Sequence, residues 1–400
     1  MRNRLSFLIL WFGAFVNWMG YGFVYPIFSV SLFQANPVFA GASSDFLRGE
    51  LLGILIAASP VGQFFTSPFM GTLSDHKGRK VVLYRTYMIM CIGYLLSGYG
   101  LYLNSITLTV FGRLVTGFGA GNLGVINSAV TDISTPKEKT KNYALIAMAS
   151  GIGFTVGPFL GGKLLAWGFT FPFIVAAALA GLAAFCFRFA FHETLKYPRE
   201  KKPFTLKKQF NELLNIGGES KLSAFLCAFF LFCLGWAFYW EFIPVTWIKK
   251  YALDASAIGD FYAYGSLFYV LSSGLLIRPI IKRFKPEPTL VASWGALALC
   301  LVPLFYTSVL GYWILIPLQQ FCVALVFPLG TTVVSNAVSD HEQGKALGTF
   351  QSLQALAFAV TPFLGGSLLS LHNRMPVVVG SIAMLLSCSI LFIALKKKKA

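Results

Sequence analysis

Long apolar runs separated by short polar segments dominate the 400-residue chain. Each run is near the roughly 20 residues that an α-helix needs to cross a hydrocarbon core about 30 Å thick. Apolar and polar residues rarely alternate with a period of two, which disfavours a β-barrel. Twelve transmembrane helices are predicted, at residues 5–33, 51–73, 82–103, 106–131, 143–166, 170–190, 222–247, 258–280, 289–308, 312–335, 346–370 and 376–395.

Composition supports a membrane protein. Charged residues make up 12% of the chain and hydrophobic residues 56%, whereas soluble domains carry about 25% charged residues. Arg2, Arg4 and the apolar run that follows resemble a signal peptide, but the run is too long for one, and its removal would leave an odd number of helices. The expected fold class is therefore an all-α membrane protein.

The net charge of +17 is explained by topology. With the N-terminus inside, 26 of the 32 Lys and Arg residues fall in inner segments, five fall in outer segments, and only Arg113 lies within a span. Inner segments of membrane proteins are enriched in Lys and Arg. The bias predicts that both termini are cytoplasmic, and no nucleic-acid partner is expected.

The chain divides into two similar halves. Residues 157–162 read GPFLGG and residues 361–366 read TPFLGG, while NSAVTD at 127–132 is echoed by SNAVSD at 335–340. We expect two six-helix bundles related by a pseudo-twofold axis along the membrane normal, with the substrate site between them. The predicted segments are an N-terminal bundle (1–190), a cytoplasmic linker (191–221) and a C-terminal bundle (222–400).

The connection between the second and third predicted helices, Gly71–Lys80, reads GTLSDHKGRK. Taken alone, it fits any basic cytoplasmic loop. It also resembles the signature G-x-x-x-D-[RK]-x-G-R-[RK] of the major facilitator superfamily, with His76 where a basic residue is usual. The resemblance implies a cytoplasmic latch that includes Gly71, Asp75, Gly78, Arg79 and Asp132. In such a latch, Asp75 would face the N-terminal end of the eleventh helix, and Arg79 would pair with Asp132.

The fifth predicted helix carries a series of small residues interrupted by a proline. Small residues four apart allow helices to approach closely, so ordinary membrane packing is one interpretation. The pattern also resembles the G-x-x-x-G-P-x-x-G-G motif of the drug–proton antiporter branch, which includes tetracycline-type exporters. This resemblance favours export over uptake. The matching residues are Gly153, Gly157, Pro158, Gly161 and Gly162.

Arg113 lies inside the fourth predicted helix. An arginine within a span costs about 2.5–3.5 kcal/mol on insertion scales, so it should face a partner or a polar cavity. It either pins two helices through backbone carbonyls or, as the family resemblance implies, takes part in proton transfer. Asn17 and Gln63 are candidate hydrogen-bond acceptors for it. Tetracycline-type exporters are expected to carry an acidic residue near Asn17, and asparagine does not titrate.

Glu241 is the other charged residue predicted within a span, in the sequence GWAFYWEF of the seventh helix. Neighbouring aromatic residues such as Tyr239 suit a lipophilic cation. Burial among aromatic rings also opposes ionisation, as a proton-binding group requires. The alternative is an interfacial glutamate within an aromatic belt, in contact with water.

These features predict a secondary active transporter that exports a small amphipathic or lipophilic compound in exchange for protons. Alternatives are an importer or uniporter of a small anionic metabolite, with Arg113 holding the anion, and a membrane sensor or scaffold that has lost transport. No enzymatic activity, metal or other cofactor is expected, because the sequence lacks a nucleotide-binding P-loop and metal-ligand spacings. The expected setting is the bacterial inner membrane, where the chain would act as a monomer in contact with lipid.

Overall fold

The computed structural model describes residues 2–33, 39, 44–195, 220–301, 303, 307–337 and 343–396, and these residues contain helices and no β-strand. The α-helices are α1 (Arg2–Gly22), α2 (Val24–Phe33), α3 (Asp45–Lys77), α4 (Arg79–Tyr102), α5 (Ile106–Ala120), α6 (Leu123–Ile133), α7 (Pro136–Leu164), α8 (Phe171–Phe189), α9 (Ser220–Tyr251), α10 (Ala255–Leu271), α11 (Ile277–Arg283), α12 (Pro286–Leu301), α13 (Val309–Asn336), α14 (Gln343–Leu371) and α15 (Met375–Lys396). A 3₁₀ turn, Leu165–Trp167, follows α7, and a π-helical turn, Ser272–Leu276, joins α10 to α11.

Nine helical segments among the described residues are long and apolar enough to cross a membrane, the first of them running through α1 and α2. They coincide with nine of the predicted runs. The runs at 106–131, 258–280 and 289–308 do not meet this criterion. The first is broken between α5 and α6, the second is interrupted by the π-helical turn, and the third corresponds to α12, which has only 16 residues.

The break between α5 and α6 lies at Gly121 and Asn122. A break leaves backbone carbonyls without their intrahelical partners. The side chain of Asn17, from α1, satisfies one of them by donating from Nδ2 to the Ala120 carbonyl at 3.1 Å. The break is therefore stabilised by a tertiary contact that hydrophobic periodicity does not reveal.

The described helices form two compact units. Unit 1 comprises Met1–Phe204 and Leu253–Ala263, so it includes the first part of α10. Within it, α4 packs on α5 and α8, α1 packs on α7, and α3 packs on α5. Glycine allows the close approach of α4 and α5, because a Cβ atom on Gly112 would lie 2.4 Å from the backbone nitrogen of Ser97.

Unit 2 comprises Thr205–Ala252 and Tyr264–Ala400. Here α9 packs on α14 and α15, and α12 packs on α13 and α15. Trp294 of α12 is fully buried, with its ring 4.6 Å from that of Phe232 in α9. The division at Phe204 lies between the predicted bundle boundaries at 190 and 222, and residues 196–219 of the predicted linker lie outside the described residues.

Arg85 and Arg188 are among the basic residues that were counted in cytoplasmic segments but lie in helices that qualify as membrane spans. Arg85 is in α4 and Arg188 is in the last turn of α8. The statement that Arg113 is the only basic residue within a span was therefore wrong. The predicted spans at 82–103 and 170–190 already contained these two residues, which were nevertheless counted with the neighbouring polar segments. A helix can continue through an arginine near its end because the long side chain reaches the interface.

Candidate functional site

The predicted latch forms a compact turn between α3 and α4. Gly78 joins the two helices with φ 92° and ψ 152°, a conformation that favours glycine. A Cβ atom on Gly71 would meet nothing within 4 Å, so packing does not require glycine there. The sequence motif therefore contains one glycine that the backbone needs and one that it does not.

Arg79 is the centre of this latch, and its side chain is only 3% exposed. Its Nη1 atom lies 2.6 Å from Oδ1 of Asp75, and its Nε atom lies 3.2 Å from Oδ2 of Asp132. Nη1 also donates to the hydroxyl of Ser74. The Arg79–Asp132 ion pair implied by the family resemblance is thus present, and it joins the start of α4 to the end of α6.

Glu193 is a latch residue that the sequence did not reveal. Its Oε1 atom accepts hydrogen bonds from the backbone N–H groups of Arg79, Thr194 and Leu195, each at 2.9 Å. Its Oε2 atom accepts from the N–H of Lys80 at 3.1 Å. The carboxylate therefore caps the N-terminus of α4, where backbone N–H groups lack helical partners and the helix dipole favours negative charge.

We expect Glu193→Gln to lower the free energy of unfolding by about 1 kcal/mol, because the neutral amide retains a single acceptor oxygen and loses the favourable interaction with the helix dipole. Thermal unfolding of the purified protein in detergent would measure this loss. Glu50→Gln is the control, since Glu50 lies inside α3 and caps no helix. Equal unfolding temperatures for Glu193→Gln and wild type would contradict the capping role.

The glycines of the fifth predicted helix lie on α7 against the backbone of α1. A Cβ atom would lie 2.3 Å from the Phe15 carbonyl oxygen if added to Gly153 and 2.4 Å from that of Met19 if added to Gly157. On Gly161 it would lie 2.5 Å from the Phe23 carbonyl oxygen. Three glycines four residues apart thus bring one face of α7 into direct contact with α1.

The end of this motif contacts the first part of α10. A Cβ atom on Gly162 would lie 2.6 Å from the Cα atom of Gly259. The next residue, Lys163, places Nζ 2.6 Å from Oδ1 of Asp260 and 2.9 Å from Oγ of Ser256. Both partners of the ion pair are more than one-third exposed. The pair therefore contributes little to stability, and the close approach of α7 to α10 depends on the contact between Gly162 and Gly259.

We expect Gly157→Ala to destabilise unit 1 by about 1–3 kcal/mol, because the methyl group would overlap the Met19 carbonyl and force α7 away from α1. Gly124→Ala is the matched control in α6, where an added Cβ meets nothing within 4 Å. That control should gain up to about 1 kcal/mol from helix propensity. Thermal unfolding of both variants tests whether their changes in stability have opposite signs. A stabilised Gly157→Ala would refute the packing argument.

Arg113 is fully buried in the middle of α5, with 1% of its surface exposed. Its Nε atom donates to the Leu55 carbonyl at 3.4 Å, and its guanidinium lies 5.9 Å from the centre of the Phe28 ring. The phenol groups of Tyr21, Tyr25 and Tyr94 are near enough to interact with its charge. Nη1 has no hydrogen-bond partner among the described residues. A buried cationic donor with unused capacity is suited to an oxygen-bearing ligand.

Asn17 is a hydrogen-bond donor at the break between α5 and α6. Its Nδ2 atom donates to the Ala120 carbonyl and, at 2.7 Å, to Oδ1 of Asn122. Asn122 in turn donates to the hydroxyl of Thr86 at 3.0 Å. These hydrogen bonds use the donor nitrogen of Asn17 and do not involve Arg113, so the role of Asn17 as an acceptor for Arg113 stays a prediction. For Gln63, the structure shows its backbone carbonyl accepting from Thr66 and Ser67.

Glu241 is fully buried within α9, ten residues before the end of the helix. The interfacial alternative, in which this side chain contacts water, is therefore wrong. Tyr239 donates to Oε1 of Gln319 at 2.8 Å, and Nε2 of Gln319 has no hydrogen-bond partner among the described residues. Pro244 lacks the N–H that would otherwise bond to the Trp240 carbonyl, so the backbone next to Glu241 is also polar.

The sequence that forms these helices matches a known family of proteins. The family model described as Major Facilitator Superfamily matches residues 10–318 and 225–400. The chain belongs to the Major Facilitator Superfamily. It is accordingly a multi-pass membrane protein that transports small molecules and is not an enzyme.

Individual relatives of this superfamily chain are distant but cover almost all of it. It is 24% identical to multidrug resistance protein 2 of Bacillus subtilis (strain 168), over 99% of this chain and 97% of that protein. It is 24% identical to the class C tetracycline resistance protein of Escherichia coli, over 84% of this chain and 85% of that protein. The crystal structure of a D-xylose–proton symporter has the same fold, with a TM-score of 0.74 and 15% identity over 98% of this chain and 97% of that one.

Proposed function

We propose that this superfamily member is a secondary active transporter that exports a small amphipathic or lipophilic compound in exchange for protons by alternating access. Glu241 carries the proposal. Between Leu222 and Ile248 it is the only charged residue, and it is fully buried. A carboxylate kept from water is stable when it binds a proton or a cationic partner, so it can exchange one for the other.

The polypeptide around Glu241 supports this role. The helices that share the most extensive contacts with α9, namely α14 and α15, carry no Asp or Glu, and their Lys residues lie at their ends, at positions 345 and 396. The acidic residue of α12, which contacts α9 through Trp294, is Glu287 in its first turn. Proton exchange in this part of unit 2 thus depends on one carboxylate. Tyr239 and the unpaired amide of Gln319 would supply hydrogen bonds to a substrate, and neighbouring Trp rings would supply apolar surface.

Unit 1 would supply the conformational control. The Asp75–Arg79–Asp132 cluster must break if α4 and α6 separate, so it would stabilise one conformation of the latch. Arg113 would sense the proton or the substrate through its unpaired Nη1. The names of two relatives, a multidrug and a tetracycline resistance protein, favour export.

The proposal includes a specific topology. Twelve spans would form two six-helix bundles related by a pseudo-twofold axis, with bundle limits at 1–190 and 222–400 and a linker at 191–221. Both termini would lie in the cytoplasm of a bacterial cell, with the chain in the inner membrane and functional as a monomer. The strong bias of Lys and Arg towards one side supports this orientation.

Inside-out membrane vesicles with an acidified lumen test the exchange directly. Ethidium and tetracycline serve as probes, and a pH-sensitive dye reports the lumen. We expect addition of either probe to release protons from the lumen of vesicles that contain the protein. Vesicles without the protein are the control. Absence of proton release with both probes, together with normal insertion of the protein, would refute proton-coupled export of such compounds.

Buried Arg113 also supports a second candidate function, import or uniport of a small anionic metabolite. A fully buried guanidinium with an unpaired N–H is suited to a carboxylate or phosphate. In the vesicle experiment, an organic anion would then move without releasing protons. If no probe moves by either route, the remaining interpretation is a sensor or scaffold that has lost transport.

A further inference from the structure

We propose that Arg85 and Arg188 form a binding site for the phosphate group of an anionic phospholipid on the exposed, lipid-facing surface of α4 and α8. Both side chains are exposed, although both lie in helices that qualify as membrane spans. The site lies outside the latch and outside the groups assigned to transport.

Contacts between α4 and α8 place the two arginines at the same level. The helices are antiparallel neighbours, and the rings of Tyr87 and Phe187 stack with centroids 5.2 Å apart. Arg85 lies two residues before Tyr87, and Arg188 lies one residue after Phe187. At 1.5 Å per residue, both are displaced in the same direction from the ring pair, and their levels differ by about 1.5 Å.

The Glu193 cap supports the same alignment. Its carboxylate bonds the backbone N–H groups of Arg79 and Lys80 at the beginning of α4. Residue 79 therefore lies near residue 193, and Arg85 and Arg188 lie six and five positions from this contact along α4 and along the end of α8 with the segment that follows it. Since packed helices lie 8–10 Å apart, guanidinium groups from both can reach one phosphate.

Each arginine ends a stripe of exposed apolar side chains. On α4 the stripe continues through Met88, Ile92, Leu95 and Tyr99, and on α8 it includes Leu182 and Phe185. The Arg188 guanidinium also lies 5.6 Å from the centre of the exposed Phe189 ring. Charge at one end of an apolar surface matches a lipid, with a phosphate near the arginines and acyl chains along the stripes.

Within the part of the chain that the structure describes, neither positive charge is paired with a carboxylate. The ion pairs among the described residues involve neither Arg85 nor Arg188. Glu193 is the acidic residue adjacent in sequence, and both of its oxygens accept from backbone N–H groups. Two cations at a common level in a lipid-facing surface attract an anion, and arginine binds phosphate through paired N–H donors.

Native mass spectrometry of the purified full-length protein tests the site, with phosphatidylglycerol as the anionic probe and phosphatidylcholine as the zwitterionic comparison. Each Lys or Arg at a membrane surface contributes about fivefold in affinity for anionic lipid. We therefore expect the double variant Arg85→Gln/Arg188→Gln to bind phosphatidylglycerol about tenfold to thirtyfold more weakly than wild type. Phosphatidylcholine binding should be unchanged.

The matched control is Arg283→Gln/Lys285→Gln, which removes two exposed positive charges at the end of α11. It should weaken phosphatidylglycerol binding clearly less than Arg85→Gln/Arg188→Gln does, because it removes surface charge without removing the paired arginines. Equal losses in both double variants, or no loss in either, would overturn the proposal. If the double variant does not fold, each single variant should show about a fivefold loss.

Inorganic phosphate distinguishes a lipid site from a general phosphate site. Added to wild type in equal amount, it should leave phosphatidylglycerol bound, because it lacks the acyl chains that pack on the apolar stripes. Displacement of the lipid by equimolar inorganic phosphate would overturn the assignment to a phospholipid. Neither outcome depends on whether the protein exports its substrate.

Discussion

Glu241→Gln is expected to abolish the pH dependence of transport and to slow ethidium export at least about tenfold, which corresponds to 1.4 kcal/mol in the barrier. Glutamine has nearly the size of glutamate but does not bind a proton. Because the side chain is fully buried, the substitution removes the exchangeable proton while retaining the packing. Export in vesicles, measured across a range of pH, provides the rate and its pH profile.

Stability distinguishes this functional role from a structural one. A buried carboxylate must be neutral or paired, so replacing it with a neutral amide should leave the unfolding temperature unchanged or raise it. Glu50→Gln provides the control, since Glu50 is only half-buried and lies in α3. If Glu241→Gln retains rapid, pH-dependent export, another group must carry the proton.

Arg113→Gln should also reduce export at least about tenfold while changing the free energy of unfolding little. Two effects on stability oppose each other. Loss of a hydrogen bond to a charged group lowers the free energy of unfolding by about 1.5–3 kcal/mol. Removal of the buried charge raises it by about 2.5–3.5 kcal/mol. The loss of function should therefore far exceed the change in stability, which thermal unfolding and vesicle export together measure.

Arg113→Lys separates the charge from the shape of the guanidinium. If the charge is what transport requires, lysine should restore part of the export that glutamine loses. If Arg113 only pins α5 to the Leu55 carbonyl, both variants should unfold at lower temperature and export should follow the amount of folded protein. Arg48→Gln is the control, because Arg48 forms an ion pair with Asp45 at 3.8 Å near the start of α3.

Long apolar runs were sufficient to locate nine spans among the described residues, because a membrane span must be long and apolar whatever it packs against. The motif residues were also informative: Arg79 pairs with Asp132, and the glycines of α7 contact α1. Both features follow from residue type at a fixed spacing. They indicate the family, while the substrate and the direction of transport stay proposals.

Contacts between distant segments that belong to no motif could not be predicted from the sequence. Glu193 lies 113–114 residues from the N–H groups that it caps in α4, and it was assigned to a polar linker. Asn17 was predicted as an acceptor for Arg113, and the bonds that its amide donates to Ala120 and Asn122 were not predicted. In each case a side chain satisfies the end of a helix elsewhere in the fold, and local sequence carries no sign of that partner.

The break at Gly121 and Asn122 has a mechanical consequence. Arg113 lies on α5 and Asp132 lies on α6, so the buried cation and the latch carboxylate belong to two short helices instead of one continuous helix. A tilt of α6 at the latch need not turn α5. The amide of Asn17 spans the break, donating to the carbonyl of Ala120, the last residue of α5, and to the side chain of Asn122, the residue before α6. That amide therefore links the two helices through which a movement at the latch would have to pass to reach the cation.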